Sequence, residues 1–421
     1  MKVFDFEHHY NNKEFLEHLK TRKDYPYMDE NDVLWYRKNV MMPPGATSLN
    51  GSTTIENEIQ DLDDIRLGIM DGGGVSCGII SSSPGIEDLP PEESVKCAKA
   101  TNDAVAAACK RHTGRLMGSI ALPAKDVEAS VKELDRAVKE LGLLYWHTHS
   151  NYMDSFVYEE KYEPIFAKCA ELGIPIYIHP HYAPNAGIGY IDHKDLGIFE
   201  FTVDTTRTLL ILVKNGIFDR YPNLQIIIGH GGEFLAYGMD RDDNRSLMIE
   251  EKYCPCKMEQ TMTTYFKRHN ILMTTSGIYD PAVIHFLIEC IGIDSILFAT
   301  DYPYEEFAQQ FHFINNLDLT PEQKEQIFHG NADRFIFKKP EAIEKYGPVL
   351  NYQKPLSDSE AEKIALQMTG ASDMDGVCAE INRAPHAYIP NLLRANVSLR
   401  QVALMKRCTR WSLKEYFAVN V

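Results

Sequence analysis

Eight apolar runs, most of them followed by a helix-patterned segment, predict an α/β protein built as a (β/α)8 TIM barrel. The runs lie in "KVFDFE", "SCGIISSS", "GRLMGSIAL", "LGLLYWHTH", "IPIYIHP", "LQIIIGHGGE", "NILMTTSG" and "SILFATDYP". The segments between them carry apolar residues at helical spacing, as in "VEASVKELDRAVKE" before the fourth run. Several runs are apolar on both faces, as parallel strands covered on both sides are. Eight such units favour a closed barrel over an open sheet. The polar residues Glu7, His9, His147, His149, His179, His230 and Asp301 end these runs, where a barrel places its chemistry, at the C-terminal ends of its strands.

Residues 1–340 are expected to form this barrel, with a long polar insertion over about 11–56. A segment of that length after the first strand serves either as an active-site cover or as a solvated surface insertion. Residues 341–421 are expected to form a mainly helical C-terminal extension, with Ser357 or Asp358 as a helix N-cap. The 421 residues carry a net charge of -17, which argues against nucleic-acid and anionic-membrane partners. An anionic substrate would need local positive charge, from a metal or a placed arginine. "MKVFDFEHHYNNKEF" lacks a long apolar core, so no secretory signal is expected, and no window reaches the length of a membrane span. Nine scattered cysteines imply reduced thiols and a cytoplasmic location. The close pair Cys254-Pro255-Cys256 has no partner pair and reads as incidental.

"VFDFEHHY" opens the candidate site. Alternate residues of a strand share a face, so Asp5, Glu7 and His9 are expected to point one way and His8 the other. Alone, such a patch is also an ordinary surface feature. His179, closing an apolar run, is either a hydrogen-bonded buried histidine or a ligand. Asp301 at the end of "SILFATD" is costly unless paired, protonated or metal-bound. Together Glu7, His9, His179 and Asp301 form a mixed N/O set that suits Zn²⁺, Mn²⁺ or Fe²⁺, and two hard oxygen ligands tilt the choice toward manganese. In "GHGGEFLAYGMDRDDNR", two glycines allow a turn that returns Glu233 to His230, an acid/base pair. Arg241, or Arg245 in its place, is a candidate fork for a substrate carboxylate, in competition with local ion pairs to Asp240, Asp242 and Asp243.

The strand-one motif, "YIHP", "FDRYPNLQIIIGHGGE", "FATDYPY" and "GNADRFI" appear in an order that resembles the amidohydrolase superfamily. The branch is the one holding aminocarboxymuconate-semialdehyde decarboxylase and the aromatic-acid decarboxylases of the γ-resorcylate and 5-carboxyvanillate type. The resemblance covers about residues 1–340. It implies one divalent metal ion, Mn²⁺ or Zn²⁺ with Mg²⁺ also admitted, on Glu7, His9, His179 and Asp301. It further implies His230 and Glu233 as acid/base pair and Arg241 as substrate arginine. Glu7 replaces the first histidine that the family motif often has, and that replacement resembles the γ-resorcylate group. Strand four departs from the pattern: His147 and His149 replace smaller amides, both are expected to touch substrate, and no lysine is present for a carbamate-bridged second metal. The expected activity is non-oxidative decarboxylation of an aromatic or unsaturated carboxylic acid, with Asp301 as proton donor. The alternative is lactone hydrolysis or enoic-acid hydration on the same barrel. The expected partners are a small-molecule carboxylate and further copies of the chain, as a dimer or tetramer.

Overall fold

The computed structural model describes residues 2–37, 40–42, 47–50, 54–181, 198–248, 257–350 and 356–408. The chain divides into two compact units. The first comprises Met1–Leu209, Leu224–Phe234 and Ile271–Val349, and the second Leu210–Asn223, Leu235–Asn270 and Leu350–Val421. Cys254-Pro255-Cys256 lies outside the described residues.

All eight predicted strands form, in the first unit: β1 (Phe4–Tyr10), β2 (Cys77–Ser82), β3 (Leu116–Gly118), β4 (Trp146–His149), β5 (Ile176–His179), β6 (Ile226–Ile228), β7 (Ile271–Thr274) and β8 (Ile296–Leu297). β1, β2 and β3 pair in parallel in that order, as do β4 to β8. The registers include Phe4↔Cys77, Gly78↔Leu116, His149↔His179, Ile176↔Ile226, Ile271↔Ile226 and Met273↔Ile296. Ile120, just after β3, bridges Trp146 of β4. The ring closes between the end of β8 and β1, where Phe6 N donates to Phe298 O (3.1 Å), Tyr302 N to Glu7 O (3.0 Å) and His9 N to Tyr302 O (2.7 Å). The barrel expected from the run count is therefore present, with no open edge.

Strand alternation sets the depth of the chemistry. Phe6, Ile79, Tyr177, Ile227, Leu272 and Leu297 form one buried apolar cluster inside the barrel. Two residues on, the same strand faces turn polar: His179 follows Tyr177 and Thr274 follows Leu272. The inward pattern changes from apolar filling to functional groups toward the strand ends.

The 11–56 segment is partly folded. Asn12 caps helix Lys13–Lys20, and Tyr27–Met28, Leu34–Arg37 and Val40–Met42 form a small antiparallel sheet. Phe15, Leu19, Leu34 and Tyr36 pack with Ile86 and Leu89 from the loop after β2. In the second unit, Ser357 caps helix Asp358–Thr369 in a reciprocal box with Glu360, as its sequence position predicted. Val377, Ile381, Ile389, Leu392 and Val402 centre a separate core there, and Arg400 pairs with Glu259 at 2.8 Å. The seven cysteines among the described residues are free. No helix among the described residues is long and apolar enough to cross a membrane.

β1 departs from simple alternation. Its register slips between Asp5 and His8, so Asp5 and His8 face each other (Oδ2 to Nε2, 2.9 Å). Asp5 also accepts from Thr300 N at 3.0 Å and Glu7 N at 3.1 Å. The expectation that Asp5 shares a face with Glu7 and His9 is thus corrected: an irregular residue changes the parity of the strand. The His8 ring lies over Gly78, where a Cβ would stand 2.7 Å from His8 Cε1. Replacement Gly78→Ala should therefore destabilise the fold by about 1–3 kcal/mol through overpacking, read as a lowered urea midpoint at unchanged m-value.

Candidate metal centre

Five buried or half-buried side chains converge at the strand ends. One ligand atom each of Glu7, His179, His230 and Asp301 lies within 4.8 Å of all the others. His9 joins them: its Nε2 is 3.0 Å from Asp301 Oδ1 and 3.8 Å from Glu7 Oε1. His179 Nε2 is 3.3 Å from Glu7 Oε1. His230 Nε2 is 3.7 Å from both Glu7 Oε1 and Asp301 Oδ2.

The imidazoles are held by their far nitrogens. His179 Nδ1 lies 2.8 Å from the Pro180 carbonyl. A carbonyl only accepts, so Nδ1 carries the proton and Nε2 offers its lone pair to the cluster. His230 Nδ1 is 2.8 Å from Glu233 Oε1. Gly231 and Gly232 between them adopt φ of 64° and 70°, which is how the chain turns back within three residues. His230, Glu233 and Asp301 themselves have φ of 50°, 57° and 65°, positive values unfavourable for side-chain-bearing residues.

The electrostatics favour a cation. Burial alone would raise the Glu7 carboxyl, but His230, His179 and His9 facing it hold it well below the usual range. Asp301 is likewise lowered against burial, by His230 and His9. Burial disfavours a charged His230, yet Glu7, Glu233 and Asp301 together raise it well above an ordinary histidine. The cluster thus draws positive charge from whatever is nearest. Both Glu7 oxygens, both His9 nitrogens and Asp301 Oδ1 are buried without a hydrogen-bond partner. Buried polar atoms are seldom left so, and carboxylate oxygens with imidazole nitrogens at these separations fit a divalent cation.

The structure therefore brings together Glu7, His9, His179, Asp301, His230 and Glu233. His149 and His147 line the same wall. The His149 ring centroid is 5.6 Å and that of His147 5.8 Å from His179. Arg241 lies exposed on helix Leu235–Met248, in the second unit. Two supporting side chains went unnoticed in the sequence. Arg66, fully buried, donates from Nη2 to His9 O at 2.8 Å and from Nε to Asp61 O at 2.7 Å, and so fastens the end of β1. Glu87 Oε1 lies 2.9 Å from His149 Nδ1. Neither carries a local signal, because each acts through long-range contact.

Residues 90–338 match the family model described as Amidohydrolase. The chain belongs to the amidohydrolase family. Among curated relatives of this amidohydrolase, the gamma-resorcylate decarboxylase of Polaromonas sp. is 32% identical over 297 residues, covering 68% of this chain and 90% of the relative. That of Rhizobium radiobacter is 31% identical, covering 68% and 89%. A crystal structure of 5-carboxyvanillate decarboxylase from Novosphingobium aromaticivorans, in complex with manganese and 4-hydroxy-3-methoxy-5-nitrobenzoic acid, superposes with a TM-score of 0.70. It is 29% identical and spans 79% of this chain and 95% of its own.

In this amidohydrolase, burial pushes the Glu87 carboxyl up to about 8, with Asp88 adding to the effect. The folded state then holds a proton that the unfolded chain releases above about 4.5. Stability contributed at this site is present at low pH and is lost as pH rises from about 4.5 to 8. Glu87→Gln should remove that slope. Urea unfolding at pH 5.5 and 8.5 should show the variant gaining on the parent at the higher pH.

Proposed function

We infer that this chain is a divalent-metal-dependent decarboxylase of aromatic or unsaturated carboxylic acids. The observation that carries the reading is the convergence of Glu7, His9, His179, His230 and Asp301 on one point at the barrel mouth. Glu7, His9, His179 and Asp301 would hold the metal. His9 is preferred to His230 because both its nitrogens are buried and unpartnered, whereas His230 is oriented by Glu233. Manganese suits the two carboxylates better than zinc and is the metal in the 5-carboxyvanillate decarboxylase complex. When bound, the ion would fix the substrate carboxylate with a neighbouring oxygen and act as an electrophile.

The protein's own residues do the rest. Asp301, after taking a proton from the charged His230 beside it, delivers it to the carboxylated carbon, forming a C–H bond and breaking ring conjugation. The C–C bond to the carboxylate then breaks, its electron pair restores the ring, and CO₂ leaves. Asp301 ends as a carboxylate. His230 Nε2, 3.7 Å from Asp301 Oδ2, is placed to return the proton through one water and to steady negative charge on substrate oxygen. Arg241 enters this reading from the sequence alone, as the group for a further polar substituent. A homo-oligomeric, cytoplasmic enzyme completes the proposal, the oligomer being checked by light scattering.

Metal analysis and turnover on a panel of ortho-hydroxylated benzoates test the assignment. Glu7→Ala and His9→Ala should lower bound manganese per chain several-fold. His230→Ala should keep the metal and lose about 10²–10³ in kcat. If His230→Ala loses the metal and His9→Ala keeps it, the two roles are exchanged. Asp301→Asn should lose at least about 10² in kcat even at saturating manganese. Release of CO₂ without solvent ¹⁸O in the product supports decarboxylation, and ¹⁸O incorporation establishes the hydrolase or hydratase alternative.

A further inference from the structure

His147 and His149 are alternate residues of β4 and share a face. Their register partners across the parallel pair are Tyr177 and His179 of β5. Tyr177 belongs to the apolar cluster that fills the barrel, and the His147 ring stacks on it with centroids 5.0 Å apart. Both imidazoles therefore look inward. They are 0% and 1% exposed. Both nitrogens of His147 and Nε2 of His149 are buried without a hydrogen-bond partner. His149 Nδ1 lies 2.9 Å from Glu87 Oε1. Glu87 is buried as well, and its Oε2 has no hydrogen-bond partner either.

Buried polar atoms in such a group are normally satisfied by a ligand, and the chemistry of the set says which. Burial keeps both rings uncharged, the form in which an imidazole offers a lone pair. A histidine whose far nitrogen rests on a carboxylate is the usual arrangement of a metal ligand, because the carboxylate fixes the ring plane and raises the basicity of the facing nitrogen. The spacing agrees. Two imidazoles on one tetrahedral zinc ion, each nitrogen about 2.0–2.1 Å from the metal, have ring centres roughly 5 Å apart. Those of His147 and His149 are 5.3 Å apart.

We propose that His147 and His149, with Glu87 behind His149, form a second metal site that takes zinc or another imidazole-preferring divalent ion beside the Glu7 cluster. This goes beyond the decarboxylase reading, which needs one ion. The protein donors here are nitrogen alone, so the site takes zinc and little manganese, which prefers oxygen, whereas the mixed set around Glu7 accepts either. Two protein ligands leave the other positions to water, so the site is an open one. Glu87 is a positioning residue, and the proton that burial keeps on it in the empty site leaves when the ion enters.

The test is metal uptake at equilibrium, by dialysis against zinc or manganese chloride followed by elemental analysis, and it needs no substrate. The parent should hold two zinc ions but one manganese ion per chain. His147→Phe and His149→Phe should each hold one ion of either metal, and the retained manganese shows that the barrel and the Glu7 cluster are intact. Glu87→Gln should keep both zinc ions and bind the second about 10- to 100-fold more weakly. A parent that takes up a single zinc ion overturns the proposal. So does a second equivalent that survives in both histidine variants, since it then sits elsewhere, as on Cys254 and Cys256. Crystals of the zinc-loaded parent test the site without any substitution: an anomalous peak between His147 and His149 supports it, and a second peak anywhere else overturns it. The manganese count tests the Glu7 cluster separately, so a parent that binds no manganese removes the metal-dependent decarboxylase and leaves the zinc site standing.

Discussion

Unbalanced charge at the mouth of a closed barrel is the constraint on which the rest of this structure depends. Glu7 is fully buried and the Asp301 side chain only 15% exposed. Neither can shed its desolvation cost to water. Histidines surround both, yet their spacings of 3.0–3.8 Å and the lack of hydrogen bonds on Glu7 and His9 show a set not satisfied by its own members. A compact divalent ion satisfies such a set, since it provides two charges at one point and accepts lone pairs from oxygen and nitrogen together.

Much of the surrounding structure serves to hold these atoms. The slip in β1 turns Asp5 away from the face of Glu7 and His9, and Asp5 and His8 pair to brace the strand from behind. Asp5 ties β1 to Thr300, one residue before Asp301, so the two ends of the ligand set share a support 295 residues apart in sequence. Arg66 clamps the carbonyl of His9 and stacks on Tyr302 with its guanidinium 4.6 Å from the ring centroid. Every one of these supports lies where β8 closes onto β1, the seam at which a barrel is either sealed or frayed.

This division explains what was readable in the sequence. Strand period and strand-end polarity are local, so all eight strands and the five convergent residues are visible in short stretches such as "YIHP" and "FATD". The His230–Glu233 turn is local too, written in its two glycines. The slip between Asp5 and His8 is not, because it depends on what β8 and Gly78 offer on either side. Glu87 in "SSSPGIEDLP" looks like an ordinary loop acid until β4 brings His149 to it. The 11–56 segment reads as polar overall, yet Phe15, Leu19 and Leu34 are spaced to build a small core against Ile86 and Leu89, a partner that no local window contains.

The charge balance also bears on how a chain of net charge -17 could accept an anion, as the proposed function requires. Long-range attraction does not help, and exposed charges are screened within about 10 Å at ordinary ionic strength. Recognition has to be local. Glu7 and Asp301 contribute two negative charges, which a divalent ion cancels. His147 and His149 are kept uncharged by burial. The remaining surplus is at His230, whose proton Glu233 supports. An anion approaching this wall would meet the His230 charge, with no repulsion from the neutral histidines of β4. Replacing the histidines of β4 by acids would undo this arrangement, whereas neutral imidazoles keep the wall polar without adding charge to it.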